Sequence, residues 1–208
     1  FCQYLVDRGV IESNPVHGVR GNARPAEHSR AVLEATEVDA LLTAMPTGSD
    51  LDKRDLAIVY LMLYAGLSEV EVARADIGDL EQTLLGWFLN VQGKGRSAKD
   101  QQVPLDPPVM EKIRIYLDAR GRIRPDKPLM ISHGRRSGGT RLTTRAIRAR
   151  INGHFRRAGI TRKDVTPHSL THTAAVLWLS SGMSEEEVRR RMRHGTLDTT
   201  RIYSRQMR

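Results

Sequence analysis

The pattern of this chain turns from helical to β-rich at residue 84, and that change limits the fold more than any other feature. From residue 84, LLGWFLNVQ is rich in β-formers, GKGRSAKD reads as a Gly/Lys turn, and QQVPL supplies a second short strand, so the segment predicts a β-hairpin. Around it the pattern is helical. Residues 1–10 read as the end of an amphipathic helix, and the Gly/Pro/Asn-punctuated stretch after it as a linker. Thr36, with Asp39 three residues on, reads as the cap of a short helix. DKRDLAIVYLMLYAG is apolar on most faces and predicts a buried helix closed by Gly66, with SEVEVARA as a further turn or two.

Beyond the hairpin, Val109, Ile113 and Tyr116 mark a helix from Pro107 to Ala119, and LMI at 129–131 suggests a third short strand. Thr143 and Thr144 precede a helix to about Ala158 whose buried stripe is Ile147, Ile151 and Phe155. HSLTHTAAVLWLSSG predicts a helix ending at Gly182, and Ser184 with Glu187 forms a capping box for the next. The expected fold class is mainly α with a small antiparallel β-sheet, an α+β arrangement.

Charge narrows the function. Of 33 Lys+Arg and 24 Asp+Glu residues, the first 110 positions hold 10 and 16, so the remainder carries a net charge of +15. Ten basic residues and no acidic one lie between Arg135 and Lys163. Solubility requires no such segregation, so a polyanion, and double-stranded DNA in particular, is the expected partner. Arginine dominates, and its planar fork suits phosphate better than lysine does. Arg135, Arg136, Arg141, Arg145, Arg148 and Arg201 are the candidate DNA-binding residues. The single cysteine, Cys2, excludes a disulfide framework, and no apolar run approaches the length of a membrane span. A soluble, cytoplasmic protein without membrane association is expected.

Four segments then occur in order: YAGLSEVEV, VQGKGRSAKDQQVPL, TPHSLTHTAA and MRHGTLDTTRIYSR. Their order, and His194 standing nine residues before Tyr203, resemble the tyrosine recombinases, the phage integrase and Xer-like group. The resemblance runs from about residue 30 to 205 and implies a catalytic domain over 26–208. Residues 1–25 would then be the end of a core-binding-domain helix and an interdomain linker. It further implies DNA strand cleavage and rejoining through a 3′-phosphotyrosyl bond, needing no metal and no cofactor. Tyr203 would be the nucleophile and Lys94 the acid for the leaving 5′-oxygen. His168 and His194 would contact the phosphate, while Glu71 would support an arginine of the first box. Taken alone, each residue has a plainer reading: Lys94 a solvated turn lysine, Tyr203 a partly buried aromatic. His168 and His172, four apart, have the spacing of metal ligands, but the glutamate of the zinc-protease pattern is missing.

Two positions depart from the resembled pattern. Ser68 stands where the family has the arginine of Gly-Leu-Arg, and Thr171 where it has that of His-x-x-Arg. A hydroxyl brings one hydrogen bond and no charge, so impaired cleavage is expected. Arg193 and Arg201 flank His194 and Tyr203 as substitutes, although nothing in the sequence aims them. The resemblance also implies a homo-oligomer, a tetramer on DNA and a monomer without it. The chain stops five residues after Tyr203, before the helix by which the family docks protomers, so that element is expected to be absent or truncated. The alternatives are a catalytically inactive recombinase-fold DNA-binding protein and, more distantly, a basic helical transcription regulator.

Overall fold

The computed structural model describes residues 2–18, 31–93, 95–121, 123–134 and 138–206. Nine α-helices are found among them: α1 (Cys2–Asp7), α2 (Ala35–Ala44), α3 (Asp50–Leu63), α4 (Glu69–Arg74), α5 (Pro107–Arg120), α6 (Thr144–Arg157), α7 (Ser169–Ser180), α8 (Glu185–Arg191) and α9 (Leu197–Gln206). Three strands, β1 (Leu80–Thr83), β2 (Gly86–Val91) and β3 (Gln101–Leu105), stand between α4 and α5. They form one antiparallel sheet in the order β1-β2-β3. The fold is therefore mainly α with a small antiparallel sheet. None of the described helices is long and apolar enough to cross a membrane.

Helix α3 is the centre of the molecule because its sequence is apolar on almost every side. Ala57, Val59, Leu61, Met62 and Leu63 are wholly buried, and α5 and α7 pack against it. Ser49 starts it by accepting from the Asp52 backbone N–H, while the Asp52 carboxylate accepts from the Ser49 backbone N–H and hydroxyl. The sheet closes one flank through alternation: Leu89 pairs with Val103, and Leu89, Val91, Val103 and Leu105 are all buried. On another flank, α6 buries Ile147, Ile151 and Phe155 and leaves Arg145 and Arg148 exposed. Buried Arg54 and Asp55 of α3 pair with each other, and the Asp55 carboxylate also accepts from Arg150 and meets His154 of α6 at 3.0 Å. Burial pushes the Asp55 carboxyl up, but these donors outweigh it and hold it below the usual carboxylate range.

Several local expectations are corrected. Thr36 lies inside α2, and the box at its start is made by Glu34 and Glu37, the Glu34 N–H donating to the Glu37 carboxylate at 2.9 Å. Leu84 and Leu85 sit exposed in the β1–β2 turn, with the strand beginning at Gly86. The third strand is β1, whose sequence LEQT shows no apolar alternation and is held at the edge by backbone pairing to β2. Residues 129–131 instead form a bend that ends in an isolated bridge, Ile131 to Arg141. Of the stretch read as a linker after residue 10, residues 11–18 form bends and turns without helix or strand, and residues 19–30 lie outside the described residues.

A smaller apolar cluster of Ala174, Ala175, Trp178, Val188, Met192 and Tyr203 joins α7, α8 and α9. Gly66 lies at its seam with the main core. Its φ of +64° suits glycine, and a Cβ there would stand 2.7 Å from Trp178 Cη2.

Candidate active site

A cavity of about 550 Å³ opens between the two clusters. Four parts of the chain line it: Gly66, Ser68 and Glu71 at the α3–α4 junction; Gly93, Arg96 and Gln101 from the β2–β3 connection; His168, Thr171 and His172 of α7; and Met192, Arg193, His194, Thr199 and Tyr203 from α8 onward. The sheet matters here because its register delivers the β2–β3 connection to the same opening as α7 and α9.

Helix α9 brings Tyr203 inward, where it is fully buried among apolar neighbours. Its hydroxyl oxygen stands 2.7 Å from His172 Nδ1, so an imidazole is in hydrogen-bond contact with the phenol. His194 stacks on the Tyr203 ring with centroids 6.2 Å apart, and its Nδ1 stands 2.9 Å from Thr200 Oγ1. His168 lies edge-on to His172 at 4.5 Å between ring centroids. Its Nδ1 is 3.3 Å from Glu69 Oε2. Burial pushes the Glu69 carboxyl up, yet hydrogen bonds from His168 and Arg148 bring it down to about 2. An ionised carboxylate only accepts, so His168 Nδ1 carries the proton and Nε2 remains for a ligand. Phenol and three imidazoles are thus gathered in one place.

Ser68 and Thr171, the two positions that depart from the resembled pattern, line the cavity but commit their hydroxyls to internal acceptors. Ser68 caps α4: its backbone N–H and hydroxyl both donate to Glu71 Oε2, at 2.7 and 2.8 Å. The Thr171 hydroxyl donates to the Leu67 carbonyl at 2.8 Å. Neither hydroxyl replaces a cation.

Arg193 does reach the cavity. Its Nε and Nη2 donate to the two Glu71 oxygens at 2.8 and 2.9 Å, Nη2 also donates to the Gly66 carbonyl at 2.8 Å, and Nη1 to the Arg191 carbonyl at 2.5 Å. It is the one non-glycine residue with positive φ, +58°, among the described residues. For an L-residue that conformation costs roughly 1–2 kcal/mol, which the ion pair must offset.

Lys94, Arg135 and Arg136 lie outside the described residues, although Gly93 and Arg96 on either side of Lys94 line the cavity. Arg141 is tied to the Ala73 and Ala75 carbonyls and to Asp76. Arg145 is exposed, and Arg148, also exposed, donates to Glu69 at 3.0 Å. Arg201 pairs with Glu185 and Asp198 and does not line the cavity. His172 is the residue that sequence reasoning undervalued: one helical turn past His168, it shares that residue's face, the signal that would have placed it here. Glu69 offered no such signal. No cluster of three or more metal-ligating side chains occurs among the described residues.

The phage integrase family model matches residues 31–208 of the chain. Tyrosine recombinase XerD of Lacticaseibacillus casei is 32% identical over 210 residues, covering 98% of this chain and 68% of that protein. Tyrosine recombinase XerC of Chlamydia pneumoniae is 28% identical over 205 residues, covering 98% of this chain and 63% of that protein. The chain therefore spans about two thirds of the length of these relatives. Among solved structures, XerA recombinase superposes with a TM-score of 0.68 at 27% identity, over 84% of this chain and 60% of that one. XerH recombinase in a post-cleavage complex with a palindromic difH substrate gives 0.74 at 19% identity, over 94% of this chain and 55% of that one. That second likeness is one of fold alone.

Proposed function

Because this chain belongs to the phage integrase family, the tyrosine recombinases, we propose that it is the strand-cleaving part of a site-specific DNA recombinase or integrase. The observation that carries the proposal is the cavity where the Tyr203 hydroxyl meets His172 while His168 and His194 line the same walls. In the proposed reaction the Tyr203 oxygen attacks the scissile phosphorus, and the phenolic proton passes to His172. The P–O5′ bond breaks, and the leaving oxygen takes a proton from Lys94, the acid implied by the resemblance. A 5′-hydroxyl attacking the phosphotyrosine reverses these steps, so the bond energy is conserved without a cofactor. An N–H of His194, and the Nε2–H that His168 carries only in its doubly protonated form, would meet the non-bridging oxygens. Exposed Arg145 and Arg148 on α6, with Arg135 and Arg136, would contact duplex phosphates beside the cavity, in a tetramer on DNA. We place this activity in the cytoplasm, with residues 26–208 as the catalytic domain.

Ser68 and Thr171 support a slower reaction, since both hydroxyls are committed to internal acceptors. The second reading, a binding protein without cleavage, draws on the same two residues. The test uses a pool of nicked duplexes with randomised arms, so that no target site need be assumed. An adduct that survives SDS and disappears in Tyr203→Phe supports the enzyme. DNA retention without adduct, together with an adduct gained by Ser68→Arg, Thr171→Arg, supports the binding protein.

A further inference from the structure

We infer that Arg193 supplies the fixed positive charge for the scissile phosphate, in place of arginines at positions 68 and 171; this rests on the function proposed above. A phosphodiester entering a cavity of imidazoles and a phenol brings a negative charge that grows more concentrated as the tyrosine oxygen adds. Of the described arginines, only Arg96 and Arg193 line that cavity. Arg96 is a half-exposed side chain paired with equally exposed Asp100, whereas the Arg193 side chain is only 9% exposed. Buried and forked onto Glu71, the Arg193 guanidinium is pre-positioned and loses little freedom when a ligand arrives.

Its hydrogen bonds are arranged to leave room for one. Nε and both Nη2 hydrogens are used by Glu71 and Gly66, and one Nη1 hydrogen by Arg191. The second Nη1 hydrogen remains for a phosphate oxygen. The small side chain of Ser68 is part of the same arrangement, because it shares the Glu71 carboxylate with Arg193 and leaves the guanidinium its space. The left-handed backbone at Arg193 carries a strain that glycine would not, so the contacts of this side chain must offset it. His194, the next residue, is thereby carried to the Tyr203 ring.

The experiment compares adduct formation on the randomised nicked pool with a phosphodiester or with an uncharged methylphosphonate at the scissile position. Arg193→Gln should lose roughly 10²–10³-fold on the phosphodiester but only a few-fold on the methylphosphonate, with Arg193→Lys between wild type and Arg193→Gln on the charged substrate. Equal losses on both substrates would mean that Arg193 only bolts α4 to the α8–α9 turn, and the inference would fall. Where Arg193→Gln lowers the urea midpoint, the pair Arg193→Gly and Arg193→Gly, Ser68→Arg decides instead: glycine suits the backbone, and the double variant should regain adduct. No regain overturns the inference. If the wild-type chain forms no adduct, the proposed function fails, and inorganic phosphate then probes the charge alone. The His172 and His194 imidazole resonances should shift with phosphate in wild type and not in Arg193→Gln, and unmoved wild-type resonances overturn the inference.

Discussion

The main core around α3 and the small cluster of α7, α8 and α9 are built on different terms. The first buries long aliphatic side chains on nearly all sides of one helix and is buttressed by the sheet and α6. The second rests on six buried residues, one of them Tyr203 itself. The first holds the Tyr116 phenol and the Arg54–Asp55–His154 group, while the second carries the Tyr203 phenol, with His194 stacked on its ring and Arg193 the residue before that histidine. The difference teaches that the chain separates the work of holding a fold from that of lining the cavity with a phenol, and joins the two at a few points. Those points are the Arg193–Glu71 fork, the Gly66–Trp178 approach and α7, which contributes to both.

The largest expected effect lies in the main core. Leu61→Ala should cost about 2–5 kcal/mol, read as a lowered urea midpoint with the whole transition shifted. In wild type, amides of α8 and α9 should exchange through cheaper openings than those of α3. Equal protection in both regions would erase the distinction. Next comes the contact at the phenol: His172→Phe should lower adduct formation about 10²-fold while leaving the urea midpoint within roughly 1 kcal/mol of wild type. A matching stability loss would make His172 a packing residue. At the seam, Gly66→Ala places a methyl against Trp178 at positive φ and should cost roughly 1–3 kcal/mol; an unchanged midpoint would show that the clusters are not wedged there.

The smallest effect concerns pH. The Glu69 carboxyl falls from 4.5 to about 2 on folding, so the unfolded chain binds the proton more readily. Its contribution is present above about pH 4.5 and is lost as pH drops towards 2. Asp55, held low by His154, Arg54 and Arg150, acts in the same sense. Glu69→Gln should therefore be less stable than wild type at pH 7, and the gap should narrow by pH 3. A gap that widens in acid would contradict the arrangement.

Much of this was legible in the chain because periodicity and caps are local. The stripe of α6, the Ser184–Glu187 box and the β2–β3 hairpin each follow from residues within a few positions of one another. Strand β1 was not, since LEQT carries no alternation and exists only because β2 supplies its partners. In the site, the ordered motifs named Tyr203, His168, His194 and Glu71, all of which line one cavity. What the sequence could not convey was direction. That Ser68 turns to cap a helix, that Thr171 donates to Leu67, and that Arg193 crosses from one cluster to the other are outcomes of packing between residues far apart in the chain.

The most direct test is to locate the covalent bond. After incubation with the nicked pool, nuclease trimming and trypsin digestion, the peptide Ile202–Arg205 should carry the mass of a nucleotide phosphate on Tyr203. Nucleotide found on any other side chain, or DNA bound with this peptide unmodified, would contradict the assignment of Tyr203 as the nucleophile.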